Sequence, residues 1–241
     1  MSDGIYVALS GAIAQTTSLD ATATNLANAS TDGYQRVRSV FREVMAGATS
    51  SGATPPVTTA TSSLDTSPGA LRVTGNALDV ALPDQSYLAV STPRGERYTR
   101  AGALALGADG TLTMQHGGHP LVGEDGKPIR AKRDGADVKL TPSGEVWQGD
   151  TQLGHMRMVT FSSPDKLAPE GGALLNATAA GAATPAKGEL SIGSLEGSNT
   201  SVVGMMTDLV TASRTFDAFQ RAMDAFHDAD QKAVTSVAGD P

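Results

Sequence analysis

The 241-residue chain has no cysteine, few aromatic residues and little charge, and each shortage excludes a class of protein. Without cysteine there can be no disulfides, no thiolate zinc site and no cysteine nucleophile. Aromatic residues make up 4% of the chain and charged residues 18%, while Gly, Ala, Ser and Thr recur throughout. This composition is typical of small side chains, close packing and tight turns, so a large aromatic ligand pocket is not expected.

Positive charge and long apolar runs are also scarce. The formal net charge is -7, which argues against a nucleic-acid partner because phosphate binding depends on clustered Lys and Arg. No Lys or Arg precedes Ile5, and polar residues interrupt the apolar residues that follow. We therefore expect neither a cleaved secretory signal nor a transmembrane segment.

The N-terminal residues predict a helix from about Ile5 to about Asn28, because large apolar residues recur there at helical intervals. They are Ile5, Leu9, Ile13, Leu19 and Leu26. Asp20 is the one charged residue in this stretch. The outer face of the predicted helix therefore differs from an ordinary solvated helix surface. Close packing on several sides would explain that face.

The C-terminal residues predict a second helix, from about Ser201 to about Val237, with a coiled-coil seam at alternating spacings of three and four. The predicted seam consists of Val202, Met206, Leu209, Phe216, Phe219, Met223, Phe226, Ala233 and Val237. The opposite face is charged. Such an amphipathic helix needs a partner for its apolar stripe, and the N-terminal helix is the expected one.

The middle of the chain predicts an antiparallel β domain, since short runs of period two alternate with turn signals such as Asp109-Gly110 and Asp125-Gly126. We predict an α+β fold, with a discontinuous coiled-coil shaft of N- and C-terminal helices and an inserted all-β domain. The predicted division is an N-terminal axial helix and turn over 1–46, a linker or extended loop over 47–63, the β domain over 64–197 and a C-terminal axial helix over 198–241.

Candidate catalytic and ligand motifs are weak. Gly47 to Thr54 has the glycine spacing of a phosphate-binding loop, but Ala53 occupies the lysine position. His116 and His119 have a spacing seen in some metal sites, yet no third ligand follows at a suitable distance in sequence. We therefore predict no enzyme activity, no catalytic residue, no cofactor, no metal and no small-molecule substrate.

Three well-separated stretches resemble one family. The first, Asn25 to Tyr34, reads Asn-Leu-Ala-Asn-Ala-Ser-Thr-Asp-Gly-Tyr. The second runs from Gly69 to Leu82 and is followed by Gly95 to Gly102 and Asp109 to Leu112, and the third, Gly193 to Asn199, leads into the C-terminal helix. Together they are similar to the flagellar basal-body rod and hook proteins. Asp84 to Tyr87 stands where Gly-x-Gly-Phe is common in that family and Ala103 where Asn is common, which puts the local turn in question.

The resemblance implies a structural subunit of the bacterial flagellar rod, in its proximal part, which self-assembles through its terminal helices and transmits torque. A distal rod or hook-type axial protein is the alternative, and a secreted β-rich adhesin or binding module with a helical stalk is the alternative of another class. The implied partners are other rod proteins, copies of the chain itself and the flagellar type III export apparatus. The implied location is the rod in the periplasmic space, reached without a cleaved signal peptide.

The apolar stripes and the family motifs together predict an assembly interface. It consists of Ile5, Leu9, Ile13, Leu19, Asn25, Leu26, Asn28, Gly33, Tyr34, Val202, Met206, Leu209, Phe216, Phe219, Met223 and Phe226.

Overall fold

The computed structural model describes residues 2–44, 57–132 and 135–238, which fall into two compact units. The terminal unit comprises the described parts of Met1–Leu26, Val37–Ser62 and Ser201–Pro241, and the central unit comprises those of Ala27–Arg36 and Ser63–Thr200. The predicted fold class is confirmed. The N- and C-terminal helices pack together, and the region between them in sequence is antiparallel β structure.

The terminal unit is built on two long helices, α1 (Ser2–Ala27) and α2 (Val202–Ala238), close to the predicted bounds. They run antiparallel. The Gln15 side-chain amide donates a hydrogen bond to the Ala212 carbonyl at 3.2 Å, and Gly11 lies against the Phe219 ring further along α2. Within the described ranges, no helix has the apolar run that crossing a bilayer would require.

The same unit contains strands β1 (Val37–Val44) and most of β2 (Val57–Leu64), which form a two-stranded sheet. The stretch predicted as a linker or extended loop, 47–63, therefore ends in strand β2. Its residues 47–56, which include the glycine-spaced motif, lie outside the described residues.

Fifteen further strands lie in the described part of the central unit, together with one turn of 3-10 helix at Pro164–Lys166. They are β3 (Leu71–Val73), β4 (Val80–Ala81), β5 (Tyr87–Thr92), β6 (Gly95–Thr99), β7 (Leu104–Leu106), β8 (Leu112–Met114), β9 (Val138–Leu140), β10 (Glu145–Gln148), β11 (Thr151–His155), β12 (Met158–Thr160), β13 (Ala168–Pro169), β14 (Leu175–Asn176), β15 (Thr184–Pro185), β16 (Ser191–Ile192) and β17 (Ser194–Glu196).

A six-stranded antiparallel sheet of order β13-β14-β6-β5-β12-β15 is the largest in the described chain. A three-stranded sheet has the order β11-β10-β9, and β4 with β16, β3 with β17 and β7 with β8 form two-stranded sheets. Hairpins close at Gly-containing turns. Strand β5 pairs with β6 across Thr92 and Gly95, and at the predicted Asp109-Gly110 turn the backbone N–H of Gly110 donates to the Gly107 carbonyl between β7 and β8.

Two apolar clusters hold these strands together. The larger one includes Val80, Leu88, Val90, Leu121 and Met156, whose side chains are inaccessible to water. The smaller one combines aliphatic residues with the rings of Tyr87 and Phe161, and Tyr98 packs against it. Phe161 meets the ring of Tyr98 edge-on at 4.8 Å and that of Tyr87 at 5.8 Å, an arrangement favoured by the ring quadrupoles. The central unit thus has a core of its own.

The departures from the family pattern are accommodated at the start of β5. Gln85 adopts the left-handed conformation with φ 54°, which residues other than glycine seldom adopt. The Ser86 hydroxyl donates to the Pro83 carbonyl at 2.6 Å and closes the turn. Ala103 forms a backbone bridge with Asp79, so the turn forms without the residues common elsewhere.

Candidate functional site

The face of α1 that packs on α2 is made of small residues. Ala8 and Ala12 are buried, and a Cβ atom at Gly11 would lie only 2.6 Å from Cε1 of Phe219. Such a smooth face lets a helix with large side chains approach closely. On α2 the corresponding seam runs Met205, Leu209, Ala212, Phe216, Phe219 and Met223, all buried or half-buried at spacings of four and three.

This seam differs at its start from the predicted one. Met205 is buried, whereas Met206 and Val202 are exposed. On α1 the large residues Leu9 and Ile13 are exposed too, because the positions facing α2 are taken by alanine and glycine. The terminal helices therefore have apolar residues on two faces, one covered within the chain and one uncovered.

Threonine hydroxyls on both helices are satisfied within the helix itself. Thr16 donates to the carbonyl of Ala12 at 3.0 Å, and Thr207 donates to that of Val203 at 3.1 Å. Thr17, Thr22, Thr24, Thr211 and Thr215 make the same bond to the residue four positions earlier. A surface of this kind can be buried by a neighbour without leaving its hydroxyls unbonded.

Asn25 ties the end of α1 to strand β1. Its amide nitrogen donates to the Val37 carbonyl at 2.8 Å, and its amide oxygen accepts from the Val37 N–H at 2.9 Å. The side chain is buried. Asn25 thus acts as a backbone mimic that fixes where the chain turns after the helix.

The turn that follows, from Asn28 to Tyr34, belongs to the central unit. The Thr31 N–H donates to the Asn28 carbonyl at 3.0 Å, and Gly33 has φ 68°. A Cβ atom at Gly33 would lie 2.2 Å from the Ala101 nitrogen, so only glycine fits there. Tyr34 is buried, and burial raises its pKa to about 12.

Glu196, at the end of β17, is the meeting point of distant parts of the central unit. One carboxylate oxygen accepts from the Gly69 N–H and the other from Arg100 Nε, each at 2.9 Å, while the Glu196 carbonyl accepts from the Gly33 N–H at 2.7 Å. The Arg100 and Glu196 side chains are both only 3% exposed. Arg100 also donates to the Ser86 carbonyl at 3.0 Å, so the buried charges are paired and hydrogen-bonded.

Asn199 makes a second such junction just before α2. Its amide oxygen accepts from the Arg36 N–H at 2.7 Å, and its amide nitrogen donates to the carbonyls of Asp65 and Ser67, both at 2.9 Å. Arg36 in turn forms an ion pair with Asp65 at 2.7 Å. Sequence reasoning assigned no role to Arg100, Glu196 or Asn199, although all three fall within stretches that resemble the family.

A cavity of about 480 Å³ lies beside the turn and is lined by Asp32, His116, His119 and small or apolar residues. Among the described residues, no group of three or more His, Cys, Asp or Glu side chains is arranged to hold a metal ion. His116 and His119 therefore share a cavity wall without forming a recognisable ligand set in the described structure.

The structure distributes the predicted interface residues over both units. Asn25, Gly33 and Tyr34 are buried; Leu19, Leu26, Asn28, Leu209, Phe216, Phe219 and Met223 are half-buried; Leu9, Ile13, Val202, Met206 and Phe226 are exposed. The side chains of Ile5, Ala233 and Val237 lie outside the described residues.

Comparison with known proteins gives matches at both ends and over the length of the chain. Residues 5–35 match the family described as flagella basal body rod protein, and residues 192–236 match the C-terminal family of the flagellar basal body rod FlgEFG proteins. The chain is 34% identical to flagellar basal-body rod protein FlgF of Escherichia coli over 95% of both chains. It is 35% identical to FlgF of Salmonella typhimurium over 90% of this chain and 91% of that protein. It is also 31% identical to FlgG of Bacillus subtilis over 89% of this chain and 91% of that protein.

Proposed function

This chain belongs to the flagellar basal-body rod protein family, and from that premise we propose that it occupies the proximal part of the rod and transmits torque there through its terminal helices. It is a structural subunit that assembles with other rod subunits, and it is not an enzyme. The similarity to FlgF proteins along nearly their whole length supports the proximal position.

The observation that carries the assembly role is the uncovered apolar surface of the terminal helices. Leu9 and Ile13 on α1, and Val203, Met206 and Val210 on α2, are exposed although each is large and apolar. Exposed apolar groups of this kind mark protein contact surfaces. We therefore propose that the predicted interface works in two layers, with the half-buried residues joining α1 to α2 and the exposed ones contacting neighbouring subunits.

The export route forms part of the proposal. Passage through the flagellar type III apparatus without cleavage, followed by assembly in the periplasmic space, agrees with the contribution of Ala8, Gly11 and Ala12 to the contact with α2. Removal of an N-terminal leader that included these residues would delete that contact. We expect the protein isolated from basal bodies to retain these residues.

Swimming cells test the proposed function. In cells whose own copy is deleted, wild-type chain should restore motility and Phe216→Asp or Phe219→Asp should not, because a carboxylate in the seam separates α1 from α2. Gln220→Asp adds the same charge at an exposed neighbouring position and should swim. Fluorescence of Trp147 should show a folded central unit in all variants. Normal swimming by either phenylalanine variant would contradict the proposal.

A distal position is the second candidate, since proteins named FlgG also match along most of their length. Cells lacking the FlgF protein and cells lacking the FlgG protein distinguish the two positions. The proximal assignment expects this chain to restore swimming in the first strain and not in the second. The reverse result would place the chain in the distal rod.

A further inference from the structure

Two outer strands of the central unit have an open side. Within the described residues, β3 pairs with β17 alone and β9 pairs with β10 alone. The open edge of a strand presents N–H and C=O groups with which another chain can pair. Proline is one device that blocks such pairing, and both outer strands of the six-stranded sheet contain it, at Pro169 in β13 and Pro185 in β15. Neither β3 nor β9 contains proline.

The register of β3 directs the backbone groups of two residues to its open side. The Thr74 N–H donates to the Gly193 carbonyl at 2.8 Å. Because bonding alternates along an antiparallel pair, Leu71 and Val73 turn their N–H and C=O groups away from β17. The two residues are also exposed, at 66% and 83%. β3 therefore offers backbone donors and acceptors together with uncovered apolar side chains.

The register of β9 has the same effect. The Thr141 N–H donates to the Glu145 carbonyl at 3.0 Å, and the alternation then turns the backbone groups of Val138 away from β10. Lys139, in the middle of β9, is exposed, and so is Asp137 just before the strand. The open side of β9 is thus bordered by one positive and one negative side chain.

The charges disfavour pairing of either strand with its own equivalent. Two β3 strands centred on each other would place Arg72 opposite Arg72, and two β9 strands would place Lys139 opposite Lys139. Like charges directly opposite each other destabilise an antiparallel pair. The two different strands do not have this conflict, because one register brings Arg72 opposite Asp137.

We propose that β3 of one copy of this chain pairs antiparallel with β9 of a second copy, with Leu71 opposite Val138. In this register Arg72 lies opposite Asp137 and Ala70 lies opposite Lys139. The outward backbone groups of both strands meet, and the charged pair has opposite signs. The contact rests on the proposed function, since it joins neighbouring subunits, and because it uses two different edges it can repeat along an open filament.

The side chains on both faces of the proposed pair agree with this register. Val138 packs against the larger apolar cluster of its own copy, and Leu71 lies on the same face of the combined sheet as Val138. On the other face, Arg72 lies 3.4 Å from Asp32 of its own copy. That ion pair is weak because the Arg72 side chain is 66% exposed, so the guanidinium can reach a second carboxylate.

The absence of cysteine provides a clean crosslinking test. Full-length Ala70→Cys and Lys139→Cys proteins, one carrying a size tag, are mixed at high concentration and treated with a mild oxidant. Opposite residues of an antiparallel pair lie about 4.5–5.5 Å apart, within the reach of about 7 Å that a disulfide allows. We expect the mixed dimer in several-fold excess over either homodimer. Ala70→Cys with Asp150→Cys is the matched control, because Asp150 is exposed at a turn outside β9.

Charge reversal tests the register with the same two cysteines. Arg72→Glu in the Ala70→Cys copy places two negative charges opposite each other, and Asp137→Arg in the Lys139→Cys copy places two positive charges there. Each single reversal should lower the mixed dimer to the control amount, and mixing the two reversed copies should restore it. Both positions are exposed, and the fluorescence of Trp147 verifies that each variant is folded.

A mixed dimer no more abundant than the control, a predominance of either homodimer, or a yield that the single reversals leave unchanged would overturn the proposed pairing. Motility separates this outcome from the function. A chain that restores swimming while giving no excess of mixed dimer loses the contact between β3 and β9 and keeps its place in the rod.

Discussion

Glu196 is the residue on which separate stretches of the central unit converge. It bonds the N–H groups of Gly33 and Gly69 and the guanidinium of Arg100, which are far apart in sequence. The attraction within a buried ion pair offsets the cost of removing both charges from water only when further hydrogen bonds bind their remaining polar atoms. Here those bonds come from backbone groups that must be in register. The pair therefore selects one arrangement of the chain.

Glu196→Ala should destabilise the central unit strongly. The substitution leaves the Arg100 charge buried without a partner, and breaking such a pair costs about 3–5 kcal/mol. Urea unfolding followed by the fluorescence of Trp147 measures the loss. Asp150→Ala, at the exposed turn between β10 and β11, is a comparison in which the change should be much smaller. Equal stability of Glu196→Ala and wild type would show that the junction is not a determinant of this fold.

The raised pKa values of two tyrosines predict how the stability of the central unit changes at alkaline pH. Burial raises the pKa of Tyr34 and of Tyr98 to about 12, and for Tyr98 the hydrogen bond donated to Glu96 adds to the rise. A raised pKa means that the folded state favours the neutral ring. The resulting stability is present below pH 10, the ordinary pKa, and is lost as the pH rises through about 12.

Tyr98→Phe should therefore reduce the fall in stability over that range. Glu96 keeps an ion pair with Arg157 at 3.0 Å, so the variant retains a partner for the carboxylate. The urea midpoint at several pH values between 10 and 12 is the measurement. A slope unchanged by the substitution would mean that the Tyr98 hydroxyl is not protected by the fold.

At the scale of the elements, the helices and hairpins could be predicted from local pattern, whereas the face that each helix buries could not. Helical spacing gave bounds close to Ser2–Ala27 and Val202–Ala238, and Gly-containing turns located the hairpins. Leu9 and Ile13 are more hydrophobic than Ala8 and Ala12, so hydrophobicity favoured the wrong side of α1 for the contact with α2. Shape decides that contact, because Phe219 fills the space left by Gly11.

The same reasoning explains the misplaced methionine and the missed junctions. Met205 and Met206 are adjacent and chemically identical, so only the packing of the whole seam selects Met205 for burial. Arg100 and Glu196 are separated by most of the β structure, and no local signal connects an arginine after β6 with a glutamate at the end of β17. The family resemblance identified the stretches that contain them without identifying the pair.

Gly11 and Gly204 provide a matched test of the helix contact. An added methyl at Gly204 meets nothing closer than 3.5 Å, so Gly204→Ala should stabilise α2 by up to about 1 kcal/mol through helix propensity. At Gly11 the same methyl lies 2.6 Å from Phe219. Gly11→Ala should cancel that gain, and Gly11→Leu should destabilise the pair by about 1–3 kcal/mol through overpacking.

Urea unfolding followed by far-ultraviolet circular dichroism gives the comparison. The predicted order of stability is Gly204→Ala, then wild type and Gly11→Ala, then Gly11→Leu. If Gly11→Leu were as stable as Gly204→Ala, α1 and α2 would not be packed through this face in solution.

At the scale of the whole molecule, the two units divide the work of a structural subunit. The central unit has its own core and its own buried ion pair, so it holds its shape without a neighbour. The terminal unit pairs its helices through small residues and leaves a second set of apolar residues uncovered. This division explains the composition: few aromatics, little charge and many small residues suit a chain whose ends are packed from several sides.

The amount of subunit in purified basal bodies tests most directly whether the paired terminal helices build the chain into the rod. The cells carry as their only copy either the Phe216→Asp, Phe219→Asp double variant or the Gln220→Asp control, and the chain is quantified by mass spectrometry in basal bodies and in the exported fraction. We predict that the double variant is exported but missing from basal bodies, while the control is present at the wild-type amount. Double variant found in basal bodies at the wild-type amount would contradict the account.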